Sequence, residues 1–336
     1  MSDSKDNIKI SVIVPVYGVS AYIGKFVKSL FSQTMTDGVE FIFVDDATPD
    51  ISIEIVEKEL KCYPQLQKQV KIVRHKENHG LPAARNTGLV IAGGEYVIHF
   101  DSDDYLEPTI LENLYFKAKQ ENLDIVYCDW NLVRGGSCLR IEEPSYNNIC
   151  TALKGMLIGP MHYNVWNKLI RRSLFANHNI NIVFPEGYSM GEDMTVIMVT
   201  ACAESIAKVN DALYNYVKYD HQTITADYTD THIASLKHNV ERVCNFITRQ
   251  FSGKYEKELA FMKLGIKSVF LVSGFKLRLF RAWKSTFPEA NQYIGQNPRV
   301  LGRIAMLEWF ATRNMFFFVG LYNILIVHLY NKLCHR

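Results

Sequence analysis

The sequence predicts an α/β protein: a doubly wound, mostly parallel sheet flanked by helices, followed by a C-terminal helical, membrane-associating region. Three observations carry this. Short β-branched apolar runs alternate with helical patterns through the first 130 residues, acidic residues crowd the ends of two of those runs, and the charge divides sharply along the chain. Of 336 residues, 37 are Lys or Arg and 35 are Asp or Glu, yet residues 231–336 hold 16 basic and 5 acidic residues, net +11, against net −9 for residues 1–230. A composition of 48% hydrophobic and 21% charged residues excludes a disordered chain, a collagen and a multi-span membrane protein. The seven cysteines are scattered, with no C-x-x-C spacing, which argues against a disulfide framework or a structural zinc site. With no signal-peptide pattern at the N-terminus, the catalytic part is expected to stay in the cytoplasm.

Strands are expected at Ile10–Tyr17, Val39–Val44, Gln69–Arg74, Glu95–Phe100 and Asp124–Cys128, each a short run rich in Val, Ile or Phe. Ser20 is placed to cap a helix carrying Ile23, Phe26, Val27, Leu30 and Phe31, and Asp50 to cap one carrying Ile51, Ile55 and Leu60. Strand and helix in alternation imply right-handed parallel βαβ units, whose ligands sit at the carboxyl ends of the strands. Beyond Trp130 the pattern predicts a helix near 150–158, a strand over 165–171, a helix opening at Gly191-Glu192-Asp193 and a strand pair near 205–217. From about residue 230 the reading is helical. The organisation expected is one domain over 1–230, divided into 1–130 and 131–230, and then a basic, apolar helical region over 231–336.

The chemistry concentrates at strand ends. In GGEYVIHFDSDDYLEP (93–108) an apolar strand runs into Asp101, Asp103 and Asp104. Three carboxylates there repel one another unless a cation sits among them, and oxygen ligands favour Mg²⁺ or Mn²⁺. An Asp-rich turn capping the helix near Pro108 is the alternative. Asp45 and Asp46 end the second strand, and Pro15, Tyr17 and Gly18 end the first, so three strand ends line one edge with polar groups for a base and ribose. For Asp46 the plainer reading is a turn residue, and for Tyr17 simple packing. Arg85 and Asn86 fall on a short helix beginning at Gly80, where the guanidinium could pair with phosphate or neutralise neighbouring carboxylates.

These segments resemble the family 2 glycosyltransferases of GT-A fold. That family reads roughly SVIxPxYN, VDDGSxD, NxGxxxARNxG and GxYIxFxDxDD, in order and at similar spacing. Here stand SVIVPVYG (11–18), VDDATPD (44–50), NHGLPAARNTG (78–88) and GEYVIHFDSDD (94–104). Departures are Gly18 where Asn is usual and Ala47-Thr48 where Gly-Ser is usual. The resemblance implies nucleotide-base contact at Asp46, metal and diphosphate binding at Asp103, and Asp101 beside ribose or metal. Its donor side comprises Pro15, Tyr17, Asp46, Arg85, Asp101 and Ser102. The resemblance also implies that 1–230 is a catalytic domain, with 1–130 its nucleotide-sugar half and 131–230 its acceptor half. YSMGEDMTV (188–196) resembles the family's Glu-Asp motif, which implies Asp193 as general base, with helix capping as the alternative. VWNKLIRRSLF (165–175) resembles the preceding segment, where Trp166 fills the core or stacks on a sugar. His221 lies where some relatives place a late metal or phosphate contact.

The function expected is inverting, metal-dependent transfer from a nucleotide-diphosphate sugar to a hydroxyl of a glycan or lipid-linked glycan, with Mg²⁺ or Mn²⁺ as cofactor. A role in building surface polysaccharide follows from the resemblance. The alternatives are a sugar nucleotidyltransferase and a non-catalytic, membrane-bound sugar-nucleotide binding protein. The absence of G-x-G-x-x-G after the first strand and of G-x-x-x-x-G-K-[ST] disfavours a dehydrogenase and a P-loop enzyme. In LGIKSVFLVSGFKLRLFRAW (264–283), helical spacing puts Lys267, Arg278 and Arg281 near one stripe with Lys263, and Ile266, Val269, Val272, Leu279, Phe280 and Trp283 broadly opposite. MFFFVGLYNILIVHLY (315–330) falls short of the roughly 20 apolar residues needed to cross a bilayer. Residues 231–336 are therefore expected to hold the protein peripherally on the inner face of an anionic membrane, with packing on protein as the alternative. A homo-oligomer is compatible with the sequence; nucleic acid is not expected, because the bulky apolar residues have no role there.

Overall fold

The structure is a computed structural model, and it describes residues 8–177, 180–188, 190–219, 228–272, 276–297, 300 and 302–334. His221 lies outside the described residues. The chain forms two compact units, one of residues 1–153 with 161–221 and one of residues 154–160 with 222–336.

The first unit is built on a mixed sheet. Its strands are β1 (Ile10–Val16), β2 (Val39–Asp45), β3 (Val70–Arg74), β4 (Tyr96–His99), β5 (Tyr105–Leu106), β6 (Ile125–Arg134), β7 (Ser137–Ile141) and β8 (Lys168–Arg171). The short pair β9 (Ala176–Asn177) and β10 (Ile180–Asn181) forms a separate ribbon, and β11 (Ile206–Val217) returns to the main sheet. The order is β3-β2-β1-β4-β8-β6-β11-β5, with β7 on β6. Strands β3, β2, β1 and β4 run parallel, β8 is antiparallel to both β4 and β6, and β11 is parallel to β6. Helices α1 (Ile23–Phe31), α2 (Ser52–Leu60), α3 (Leu81–Ile91), α4 (Ile110–Gln120) and α6 (Thr195–Ala201) accompany the strands, and α5 (Ile149–Ile158) spans the division between the units.

The central strands form where predicted because they are predominantly apolar runs buried on both faces: every residue of β1, β2 and β4 is buried, Ser11 and Glu40 included. Ile10, Val12, Ile13, Val14 and Val16 are fully enclosed, each worth about 1.5–3 kcal/mol relative to exposure. The amino edge is tied by Glu40, which accepts from Ser11 Oγ at 2.6 Å, Gly93 N at 2.6 Å and Lys71 Nζ at 2.6 Å, while Ser11 Oγ accepts from Gly94 N at 2.8 Å. A Cβ on Gly94 would lie 2.6 Å from the Ser11 backbone nitrogen, and one on Gly88 only 2.4 Å from Ile13 Cγ2. These glycines let chain approach chain. Gly94→Ala is expected to lower stability by about 1–3 kcal/mol, seen as a lower urea midpoint at unchanged slope.

Four expectations are corrected. Helix α1 begins at Ile23, not at a Ser20 cap, because Val19 O accepts from Tyr22 N and Ile23 N, while Ser20 N donates to Asp50 Oδ2 at 2.9 Å. The strand at 165–171 is confined to Lys168–Arg171, since residues 165–167 form a bend and turn ahead of it. Residues 206–217 form one strand, not a pair: Asn210 and Asp211, turn-like in sequence, lie in a bulge where the register to β6 shifts between Val209 and Ala212. The fourth concerns the second unit.

That unit holds α7 (Asp230–Phe251), α8 (Glu256–Val272), α9 (Leu277–Ser285), α10 (Gly302–Thr312) and α11 (Phe316–Cys334). Helix α7 opens on a capping box in which His232 N donates to Thr229 Oγ1 and Thr229 N to the His232 ring. The single amphipathic helix expected over 264–283 is two helices, and Lys267 does not lie on an exposed basic stripe. It is fully buried, donating to Thr286 O at 2.9 Å, Phe287 O at 3.2 Å and Asn291 Oδ1 at 2.6 Å, and lying 4.3 Å from the centre of the Trp283 ring. Burial pulls its ammonium down to about 8. Leu279, Phe280 and Trp283 are likewise buried, so this stretch packs on protein.

Candidate active site

Parallel register brings three strand ends to one edge. Pro15 pairs with Val44 and Val16 with Asp45 across β1 and β2, and Ile13 pairs with His99 across β1 and β4. Pro15 to Tyr17, Asp45 with Asp46, and Asp101 to Asp104 therefore emerge together, as the strand-end rule anticipates.

The loops leaving β1 and β2 hold each other. Gly18 N donates to Thr48 Oγ1 at 2.8 Å, Thr48 Oγ1 to Asp50 Oδ1 at 2.9 Å, and Thr48 N to Asp45 Oδ1 at 2.9 Å. Burial works against the Asp50 carboxylate, yet bonds from Ser52, Ser20 and Thr48 hold it well below the usual range. Ala47 has φ 55° and Gly18 φ 66°. This left-handed geometry accounts for Gly or Asn being usual there, and Ala47 accepts it with some strain. Tyr17 remains 51% exposed at the mouth of this loop pair.

Asp46 is buried and heavily bonded. Its Oδ1 takes His75 Nδ1 at 2.6 Å and His79 N at 2.9 Å, and its Oδ2 takes Gly80 N at 2.7 Å. The geometry makes it the anchor for the entry to α3, a turn role weighed against base contact from the sequence. Ser102, expected on the donor side, is buried and donates to Pro15 O at 2.8 Å, stitching β1 to the acidic loop.

Arg85 is the hub. Fully buried, it donates from Nη2 to Asp101 Oδ1 at 2.9 Å and from Nη1 to Asp193 Oδ1 at 2.5 Å. Both terminal nitrogens are thus committed to carboxylates, which favours neutralisation over phosphate pairing. Its neighbour Asn86 donates to Phe184 O and Glu186 Oε1, both at 2.9 Å, and accepts from Phe184 N at 2.8 Å. Two consecutive residues of α3 so connect the acidic strand end to the segment carrying Glu192 and Asp193, which forms a short 3₁₀ turn ahead of α6. Arg85→Met is expected to cost about 2–3 kcal/mol, below the ~3–5 of a fully enclosed pair, because both carboxylates remain partly exposed. Urea denaturation measures it.

Around this guanidinium the acids outnumber the base. Burial pushes Asp101 up to about 6 against the pull of Arg85, with Asp103 and Asp193 adding to the rise. Burial also raises Glu192, with Asp193 beside it. Asp103 is raised by burial too, and among the described residues its carboxylate takes only its own backbone N–H. Asp104 is held apart, buried and accepting from Tyr214 Oη at 2.5 Å and Val217 N at 2.7 Å. Tyr219 Oη donates to Asp103 O at 3.0 Å, and its ring lies 4.0 Å from that of Tyr22.

Among the described residues no three His, Cys, Asp or Glu side chains converge into a ready-made metal cage. The donor set nonetheless fits Mg²⁺ or Mn²⁺: Asp103 and the second oxygen of Asp101 are hard carboxylate ligands in an over-acidic site, and such ions take one or two carboxylates plus substrate phosphates. Trp166 is core. It stacks on Tyr214 at 4.3 Å and on Tyr216 at 5.8 Å and is 5% exposed. Sequence reasoning missed the Asn86 clamp on Phe184 and the Tyr214 bond to Asp104. The alternation of Tyr214 and Tyr216 was the available signal for the second; nothing local marked the first.

A sheet of this order, with carboxylates at its carboxyl edge and a second acidic motif bridged to them, defines a GT-A-type protein. The 1–349 portion of S. aureus TarS in complex with UDP-GlcNAc superposes with a TM-score of 0.62 at 20% identity, covering 95% of this chain and 92% of that one. The profile described as Glycosyl transferase family 2 matches residues 11–183, and the chain belongs to that family. It is 33% identical over 217 residues to the uncharacterized glycosyltransferase EpsJ of Bacillus subtilis, covering 62% of this chain and 60% of that protein. It is also 33% identical over 236 residues to the cholesterol galactosyltransferase of Borreliella burgdorferi, covering 64% and 61%. The chain thus spans about three-fifths of the length of these curated relatives.

Proposed function

We propose that this protein transfers a glycosyl group from a nucleotide-diphosphate sugar to an acceptor hydroxyl, in one inverting displacement. The observation that carries the proposal is the Asp101–Arg85–Asp193 bridge, which joins a metal-suited strand end to an independently positioned carboxylate. Family membership supports it, as do relatives named as glycosyltransferases and a fold neighbour solved with UDP-GlcNAc.

In this reading Asp103, with Asp101, holds Mg²⁺ or Mn²⁺. When bound, the ion supplies a Lewis acid that offsets charge on the departing diphosphate. Tyr17, Pro15 and the Asp46-anchored loop form the wall for the nucleoside. Arg85 fixes Asp193 through Oδ1, and Asp193 Oδ2, which no other described residue occupies, accepts the proton of the attacking hydroxyl. Attack from the face opposite the diphosphate needs no covalent enzyme intermediate, so the anomeric configuration inverts. The acceptor is a glycan or lipid-linked glycan on the cytoplasmic side of the membrane, and surface polysaccharide is the proposed product class.

The test is release of nucleoside diphosphate across a panel of sugar nucleotides and acceptors, with and without Mn²⁺, and the anomeric configuration of the product by NMR. A nucleotidyltransferase would release pyrophosphate instead, and a binding protein would shift its melting temperature with donor but turn nothing over.

A further inference from the structure

Helices α10 and α11 turn large apolar side chains outward. On α11, Phe317, Phe318, Leu321, Ile324 and Leu325 are 43–68% exposed, while the inward face carries Val319 and the amide of Asn323, which donates to Leu271 O at 2.6 Å. On α10, Trp309 is 46% exposed while Glu308 is buried, accepting from Ser268 Oγ at 2.5 Å. Burial raises the Glu308 carboxyl above its usual range, against the bond from Ser268. Helices in water turn their polar side outward. Here Glu308 and Asn323 bond inside, and large apolar side chains stand outward beside the exposed Arg303 and Thr312.

The exposed side chains form one connected patch. Trp309 meets Phe310 at 5.3 Å between ring centres, Phe310 stacks on Phe318 at 5.3 Å, and Phe318 meets Phe317 at 5.8 Å. At the turn between the helices, the Arg313 guanidinium lies 3.8 Å from the Trp309 ring centre, and Lys284 Nζ donates to Asn314 Oδ1 at 2.7 Å. Both cations are exposed, and no carboxylate pairs with either among the described residues. Aromatic rings beside unpaired Arg and Lys match a lipid headgroup boundary, where rings sit at headgroup level and cations meet anionic phosphate. No helix among the described residues is long and apolar enough to cross a membrane.

We infer that the outer face of α10 and α11, from Trp309 to Leu325, is a docking surface for an anionic lipid bilayer, lying in the interface with Arg313 and Lys284 on the headgroups. The surface is distinct from 264–283, where Leu279, Phe280 and Trp283 are buried, and the inference stands apart from the proposed transfer reaction.

The test uses the full chain and sedimentation with vesicles of phosphatidylcholine alone or mixed equally with phosphatidylglycerol. Binding is expected to the mixed vesicles, weaker to the neutral ones and reduced at high salt. The triple variant Phe317→Ser, Leu321→Ser, Ile324→Ser, at exposed positions, should lower partitioning by at least ~10-fold. Intrinsic fluorescence of the unaltered protein gives a second readout: of its four tryptophans Trp130, Trp166 and Trp283 are buried, so a blue shift on adding mixed vesicles reports Trp309. Unchanged sedimentation of the triple variant, or no blue shift with bound protein, overturns the inference. So does lipid-free self-association that the triple variant abolishes, which would assign the face to a second copy of the chain.

Discussion

Asp103→Asn is expected to reduce transfer by at least ~10³-fold at saturating metal while leaving the melting temperature near that of the unaltered protein. Metal stabilisation of a departing diphosphate amounts to several kcal/mol, and each ~1.4 kcal/mol is a decade in rate. Asp103 is the carboxylate with least to lose structurally, since among the described residues it takes only its own backbone N–H and burial already disfavours its charge. Its amide replacement leaves the Tyr219 bond in place, because that bond goes to the backbone carbonyl. Nucleoside diphosphate release is the assay. Activity within a few-fold of wild type would remove Asp103 from the metal site.

Asp193→Asn should lower kcat by at least ~10²-fold with donor affinity nearly unchanged, the signature of a lost proton acceptor. An asparagine carbonyl can still accept from Arg85 Nη1, so the hub persists and the loss reports chemistry more than packing. Donor titration followed by melting temperature, beside steady-state rates, separates the two. If donor affinity falls and turnover survives, Asp193 belongs to the donor side and the general base lies elsewhere.

The legible parts of this fold were the ones written locally. Strands β1, β2 and β4 are predominantly apolar runs, and a run buried on both faces leaves little choice of structure. The convergence of Pro15, Asp46 and Asp101 followed from parallel strands sharing one edge. What sequence could not show were pairings made over distance. Arg85 and Asp193 lie 108 residues apart, and so the guanidinium's choice between phosphate and carboxylate stayed open. Lys267 looked like a surface cation because its acceptors, Thr286, Phe287 and Asn291, arrive about twenty residues later. Asn210 and Asp211 mimicked a turn because a bulge admits the same residue types.

Adjacent residues of a helix point about 100° apart, so Arg85 and Asn86 work like two teeth of one key, one cut for the acidic strand end and one for the backbone of Phe184. The seat of Asp193 is thereby set by α3. A one-residue insertion early in α3 would turn both teeth out of their locks together.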